Sequence, residues 1–164
     1  MKLRKLESKD ASRMLEWMHN QQTTKYLNAD FGSKTISDCG NFISAAQDEN
    51  VNLHLAVVDS SDEYMGTVSL KNIDPDSKTA EFAITMHPRA QGKGFAGRAM
   101  KCILEDGIHR RNLQDIYWCV DPSNARAVRF YDKNGYKRTA KVPYSIKSSY
   151  NKPDMYIWYV YTGA

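Results

Sequence analysis

The sequence predicts an α+β fold: a mixed, mostly antiparallel sheet flanked by helices, in a single domain over residues 1–164. Three observations carry this expectation. Between residues 52 and 86 three segments alternate apolar and polar with period two and are joined by short polar turns, which makes them antiparallel neighbours. Helical periodicity lies on both sides of that block, at 10–20 and 37–48 before it and 95–111 after it. The remainder supplies one strand, one helix and two short strands, so helices and strands share layers without a repeating βαβ pattern.

Residues 2–7 alternate and read as a short first strand. Ala11, Met14, Leu15 and Met18 recur at helical spacing, with Asp10 as the expected N-cap. A polar stretch over 21–34 holds Tyr26, Leu27 and Phe31, and a second helix is expected over 37–48. Strands follow over 52–58 and 65–70, divided by the turn 59–63, and a second turn over 72–77 contains Pro75. The third strand, 78–86, puts Ala80, Phe82, Ile84 and Met86 on one face and Glu81, Ala83, Thr85 and, just beyond it, His87 on the other. Pro88 ends it, and a glycine-rich loop leads to a helix whose apolar stripe is Ala96, Ala99, Met100, Ile103, Leu104 and Ile108. A strand at 116–120, a turn at 121–124 and a helix ending near Lys133 come next, with Gly135 suited to the C′ position. Short strands are expected over 136–142 and 155–161.

Composition narrows the function classes. Hydrophobic residues at 41% and charged residues at 26% suit a folded globule and argue against global disorder. No apolar run reaches membrane-spanning length, and the charged N-terminus lacks a signal-peptide core, so no membrane partner is expected. Cys39, Cys102 and Cys119 are odd in number and lack CxxC spacing, which speaks against a disulfide framework or a metal site and for a reducing cytoplasm. The net charge of +4 suits a small polyanionic ligand, and without a dense Lys/Arg tract no nucleic-acid partner is expected.

The chemistry gathers in residues 86–97, between the third strand and the following helix. Glycines there allow close backbone approach, and free amides at a helix start form a seat for phosphate, with Arg89, Lys93 and Arg98 adding positive charge. A Walker A loop is excluded because Gly97 is followed by Arg98-Ala99. Gly92, Gly94 and Gly97 match GxGxxG literally, but the preceding strand alternates, and only 43 residues follow Asp121, too few for a doubly wound sheet.

Gln91-Gly92-Lys93-Gly94-Phe95-Ala96 instead resembles the Q/R-x-x-G-x-G/A signature of the GCN5-related N-acetyltransferases (GNAT), and it follows a strand ending in x-Pro as in that family. Residues 123–136 resemble the family segment N-x-x-A-x-x-x-Y-x-K-x-G-F/Y, with Tyr136 in place of the more usual Phe. The element order matches too, so the resemblance covers essentially the whole chain. It implies a GNAT-like domain that moves an acetyl group from acetyl-CoA, its co-substrate, to a primary amine by direct attack on the thioester, without a metal.

The resemblance also implies roles. The amides of Gln91, Gly92, Lys93, Gly94, Phe95 and Ala96 would hold the coenzyme A pyrophosphate. Tyr131 would protonate the departing thiolate, and a backbone amide within Ile84, Thr85 and Met86 would stabilise the oxyanion. Asn124 is read either as a ligand of the pantetheine arm or as the N-cap of its own helix, with Ser123 as a rival cap. Glu81 and His87, on one face by parity, are the candidates for the base that deprotonates the amine. Acceptor specificity is expected in 21–34 and 143–153, where Tyr26, Phe31, Tyr144 and Tyr150 line a pocket or else merely cover the core.

The acceptor reading leans to a small amine, such as an amino sugar on a nucleotide. Its alternatives are a ribosomal-protein N-terminus, a polyamine, and a non-catalytic acyl-CoA sensor. A homodimer is expected, if at all, through the aromatic strand 155–161.

Overall fold

The computed structural model describes residues 1–163. One seven-stranded sheet runs through them in the order β1 (Lys2–Lys5), β2 (Leu53–Val58), β3 (Tyr64–Asp74), β4 (Thr79–Met86), β5 (Asp115–Val120), β7 (Ile157–Thr162) and β6 (Lys137–Arg138). Every pairing is antiparallel except β4 with β5. The expected antiparallel block of three strands is therefore present, and it gains β1 on its outer side.

The parallel pairing follows from the connection. Between β4 and β5 the chain passes through α4 (Phe95–His109), and a helical crossover returns the next strand in the same direction. Ala99, Met100, Ile103, Leu104 and Gly107 form the buried stripe of α4. They pack on Leu53, Val57, Val68, Leu70, Phe82 and Ile116 in the main core. On the same face, α5 (Ala125–Lys133) adds Tyr131 to an aromatic group around Trp118, which stacks on Tyr159 with ring centres 5.6 Å apart.

The opposite face is covered by α1 (Ala11–Met18), α2 (Gln21–Thr24) and α3 (Ile36–Ala45). Met14, Trp17, Met18, Cys39 and Ile43 pack there on Ala56, Val58 and Tyr64, and Trp17 Nε1 donates to the Tyr64 hydroxyl at 3.0 Å. Residues 64–70 of β3 are buried on both faces because both layers meet on them. At Gly66 an added Cβ would lie 2.5 Å from Met86 Sδ and 2.7 Å from Thr85 O, so only glycine fits beside the end of β4.

Several expectations are corrected. Asp10 is not an N-cap; it is helical, and its carboxylate accepts from the Glu7 amide at 2.9 Å while Arg4 donates to it. The strand expected over 136–142 shrinks to Lys137–Arg138, because Lys141 N donates back to Thr139 Oγ1 in a tight turn ahead of Pro143. A short helix, α6 (Tyr144–Lys147), occupies what reads as a loop. The aromatic strand begins at Ile157, since Pro153 starts a 3₁₀ turn over Pro153–Met155. That strand is also not a free edge: β7 lies between β5 and β6, so its backbone is engaged on both sides over residues 159–160. No helix among the described residues is long and apolar enough to cross a membrane.

Candidate active site

β4 and β5 pair only at Thr79↔Asp115, Ala80↔Ile116 and Glu81↔Tyr117, then part. Beyond Glu81 the two strands leave a wedge-shaped opening in the middle of the sheet, and the burial of β4 changes with it, from buried over 79–82 to half-buried over 83–86. The His87 amide donates to Met65 O at 2.8 Å on the β3 side. Amides alternate along a strand, so those of Ile84 and Met86 face the opening, whereas that of Thr85 is directed to β3.

The glycine-rich loop stands at the wide end of this opening. Pro88–Ala90 form a 3₁₀ turn, and Gly92 and Gly94 have φ of +74° and +72°, a left-handed conformation that favours glycine. The amides of Gly92, Gly94, Phe95, Ala96 and Gly97 find no acceptor among the described residues, while those of Gln91 and Lys93 bond within the loop. Arg98 braces the loop from behind: its guanidinium donates to Lys93 O at 3.2 Å and Gly94 O at 3.3 Å. Tying down the carbonyls this way leaves amides and the positive end of the α4 dipole as the groups available to an anion.

Tyr131 lies on the α4/α5 face of the sheet. It is 9% exposed, packed among Trp118, Phe130, Tyr136 and Tyr159, and its hydroxyl has no hydrogen-bond partner among the described residues. Burial, helped by the neighbouring Tyr159, raises its phenol well above the ordinary value, so it stays protonated and able to donate. Asn124, at the start of α5, accepts from the Ala127 amide at 3.2 Å and so caps the helix; Ser123 does not.

Glu81 lies on the other face, where the strands begin to part, and is 2% exposed. The Tyr150 hydroxyl donates to its Oε2 at 2.6 Å, and Lys71 Nζ stands 3.4 Å from Oε1. Burial, with the Glu81 charge next, holds the Tyr150 phenol far above its usual range. Cys119 shares this face, and burial pushes its thiol up to about 12, which keeps it from acting as a thiolate near neutral pH.

His87 is 5% exposed and held at both nitrogens: Nδ1 accepts from the Arg89 amide at 3.1 Å and Nε2 lies 2.7 Å from Glu16 Oε2. That hydrogen bond is the largest cause lowering the Glu16 carboxyl below its ordinary value. The four aromatic residues of the two loops do not converge. Phe31 packs edge-on against Trp17, the Tyr26 hydroxyl donates to Ser123 O at 3.2 Å, and Tyr144 is 83% exposed. Tyr150 alone reaches Glu81. Among the described residues no cluster of three or more His, Cys, Asp or Glu side chains is grouped to hold a metal ion.

Sequence reasoning gave no role to Lys71. Its signal was available, because a hairpin through 72–77 places Lys71 directly across from Glu81. The Tyr150–Glu81 contact joins residues 69 positions apart through an irregular segment, and no periodicity announces it.

Comparison with known proteins gives a consistent result. Residues 1–137 match the family described as the acetyltransferase (GNAT) domain. Spermidine N(1)-acetyltransferase of Escherichia coli K12 is 39% identical over 80 residues, a stretch that covers 49% of this chain and 43% of that protein. The match thus spans less than half the length of that relative. The uncharacterized N-acetyltransferase p20 of Bacillus licheniformis is 26% identical over 140 residues, 83% of this chain and 78% of that one. The crystal structure of the Vibrio cholerae spermidine N-acetyltransferase in complex with CoA and spermine superposes with a TM-score of 0.76 at 26% identity, covering 86% of this chain and 83% of that one.

Proposed function

The chain belongs to the GNAT acetyltransferase family, and from that premise we propose that it moves an acetyl group from acetyl-CoA to a primary amine. The observation that carries the proposal is the wedge between β4 and β5, with five amides at its mouth and a buried tyrosine on one face that have no partner among the described residues, and a buried carboxylate on the other face. Acetyl-CoA, when bound, supplies an activated acetyl thioester.

The chain's own groups then divide the work. Gly92, Gly94, Phe95 and Ala96 hold the diphosphate through their amides, and residues 84–86 line the path of the pantetheine arm. The amide of Ile84 or Met86 meets the negative charge that develops on the thioester oxygen; one such donor contributes roughly 3 kcal/mol. Glu81 accepts the proton of the attacking amine. Tyr131 returns a proton to the sulfur from the opposite face. Direct attack suits this arrangement, because the thiol beside Glu81, Cys119, stays protonated and offers no acyl-enzyme route. His87 is placed to hold α1 against the end of β4, with no free nitrogen for the substrate.

The acceptor is taken to be a small amine, with an amino sugar as the leading class. A polyamine is the second reading, and the names of the Escherichia coli and Vibrio cholerae relatives favour it. The test is thiol release from acetyl-CoA on mixing with a panel that includes amino sugars, peptides and spermidine. Release dependent on one amine class supports the reaction. Coenzyme A binding without release across the panel overturns it in favour of a sensor.

A further inference from the structure

The inference rests on the proposed reaction, because it concerns the amine side of the same opening. Glu81 is the buried carboxylate there, and both of its oxygens are already engaged, one by Tyr150 and one by Lys71. Lys71 sits on β3 in register with Glu81, so the sheet and not a mobile loop fixes its place. Its ammonium is close enough to His54 to help burial lower that imidazole to about 4. His54 is therefore neutral near pH 7 and does not add to the charge, while the Lys71 ammonium lies 3.4 Å from the carboxylate. Glu16, on the same face, is likewise engaged, by His87 at 2.7 Å and Arg13 at 3.3 Å.

A diamine or polyamine that presents one nitrogen for reaction must set a second ammonium near it. Such a charge needs a carboxylate to receive it, and here a lysine occupies that carboxylate. Two ammonium groups a few ångströms apart near a protein surface repel strongly enough to lower affinity at least tenfold. The paired Lys71 and Glu81 also sum to no net charge, which removes the attraction a polycation would otherwise feel. We propose that Lys71 is a specificity-determining residue, and that it restricts the acceptor to amines bearing a single positive charge, such as hydroxylated or sugar amines.

The test compares 4-amino-1-butanol with 1,4-diaminobutane, which differ only in a hydroxyl exchanged for a second ammonium. Both are given to the wild type, Lys71→Gln and Lys71→Arg, and are measured as kcat/KM for acetyl transfer and as dissociation constants from titration of the coenzyme A-bound protein. The wild type is expected to favour the amino alcohol at least tenfold, Lys71→Gln to lose most of that preference, and Lys71→Arg to keep it. Preference of the wild type for the diamine, equal binding of the two amines however weak, or an unchanged ratio in Lys71→Gln overturns the inference. If Lys71→Gln does not fold, the wild-type ratio still decides. Absence of acetyl transfer with a preserved difference in binding would sink the proposed reaction and leave the role of Lys71 standing.

Discussion

Tyr131 and Glu81 lie on opposite faces of the sheet, and the proposed reaction gives them opposite tasks. Aromatic burial keeps the Tyr131 phenol protonated, as a donor must be. Tyr131→Phe removes the hydroxyl and keeps the ring packing, so kcat should fall by roughly 100-fold, within the range usual for a general acid. The dissociation constant of coenzyme A should change less than about twofold, and unchanged turnover at saturation would take Tyr131 out of the mechanism. His54 supplies a separate pH signature. Its folded-state pKa of about 4 lies below the ordinary 6.5, so below pH 6.5 the unfolded chain takes up a proton that the folded one refuses. Stability from this group is complete above pH 6.5 and is lost as pH falls toward 4. Thermal melts between pH 7 and 4.5 should show a steeper loss for the wild type than for His54→Gln; parallel curves would contradict the assignment.

At the scale of elements, the loop and the two helix starts around the opening are held by different devices. The turn into α4 depends on the positive φ of Gly92 and Gly94 and on Arg98. The start of α5 depends on Asn124. Asn124→Ala should cost about 1 kcal/mol, the usual worth of such a cap, and lower the melting temperature by roughly 2–4 °C. If Asn124 acts only as a cap, coenzyme A affinity measured on the same variant stays level; a tenfold loss would give its amide to the pantetheine arm instead. The elements readable from sequence were those with strong periodicity: the α4 stripe, the alternation of β4, and the glycine at the C′ position of α5. Asp10 misled because it accepts from the Glu7 amide as the third residue of its own turn, a pattern that local composition does not separate from an N-cap. Residues 139–142 and 155–156 misled because a side chain-to-backbone bond at Thr139 and the 3₁₀ turn begun by Pro153 cut short the strands expected there.

For the whole molecule, the antiparallel block was legible because its strands are consecutive. The wedge was not, because it arises where β4 and β5, separated by a 15-residue helix, stop pairing. The glycine loop and Tyr131 came through as motifs, each within a short stretch of sequence. The Lys71–Glu81 pair belongs to the β3–β4 hairpin, whereas the Tyr150–Glu81 contact depends on long-range placement of the C-terminal segment against β4. The sheet's interior position for β7 likewise emerges only when β6 is laid against it.

The central claim is that this opening in the sheet accepts a coenzyme A diphosphate and arm. Isothermal titration of the folded protein with coenzyme A measures it directly. The account predicts saturable uptake of one equivalent per chain, weakened by Gly94→Ala, which strains the left-handed turn at the mouth of the opening. A flat titration, with the protein demonstrably folded, would contradict it.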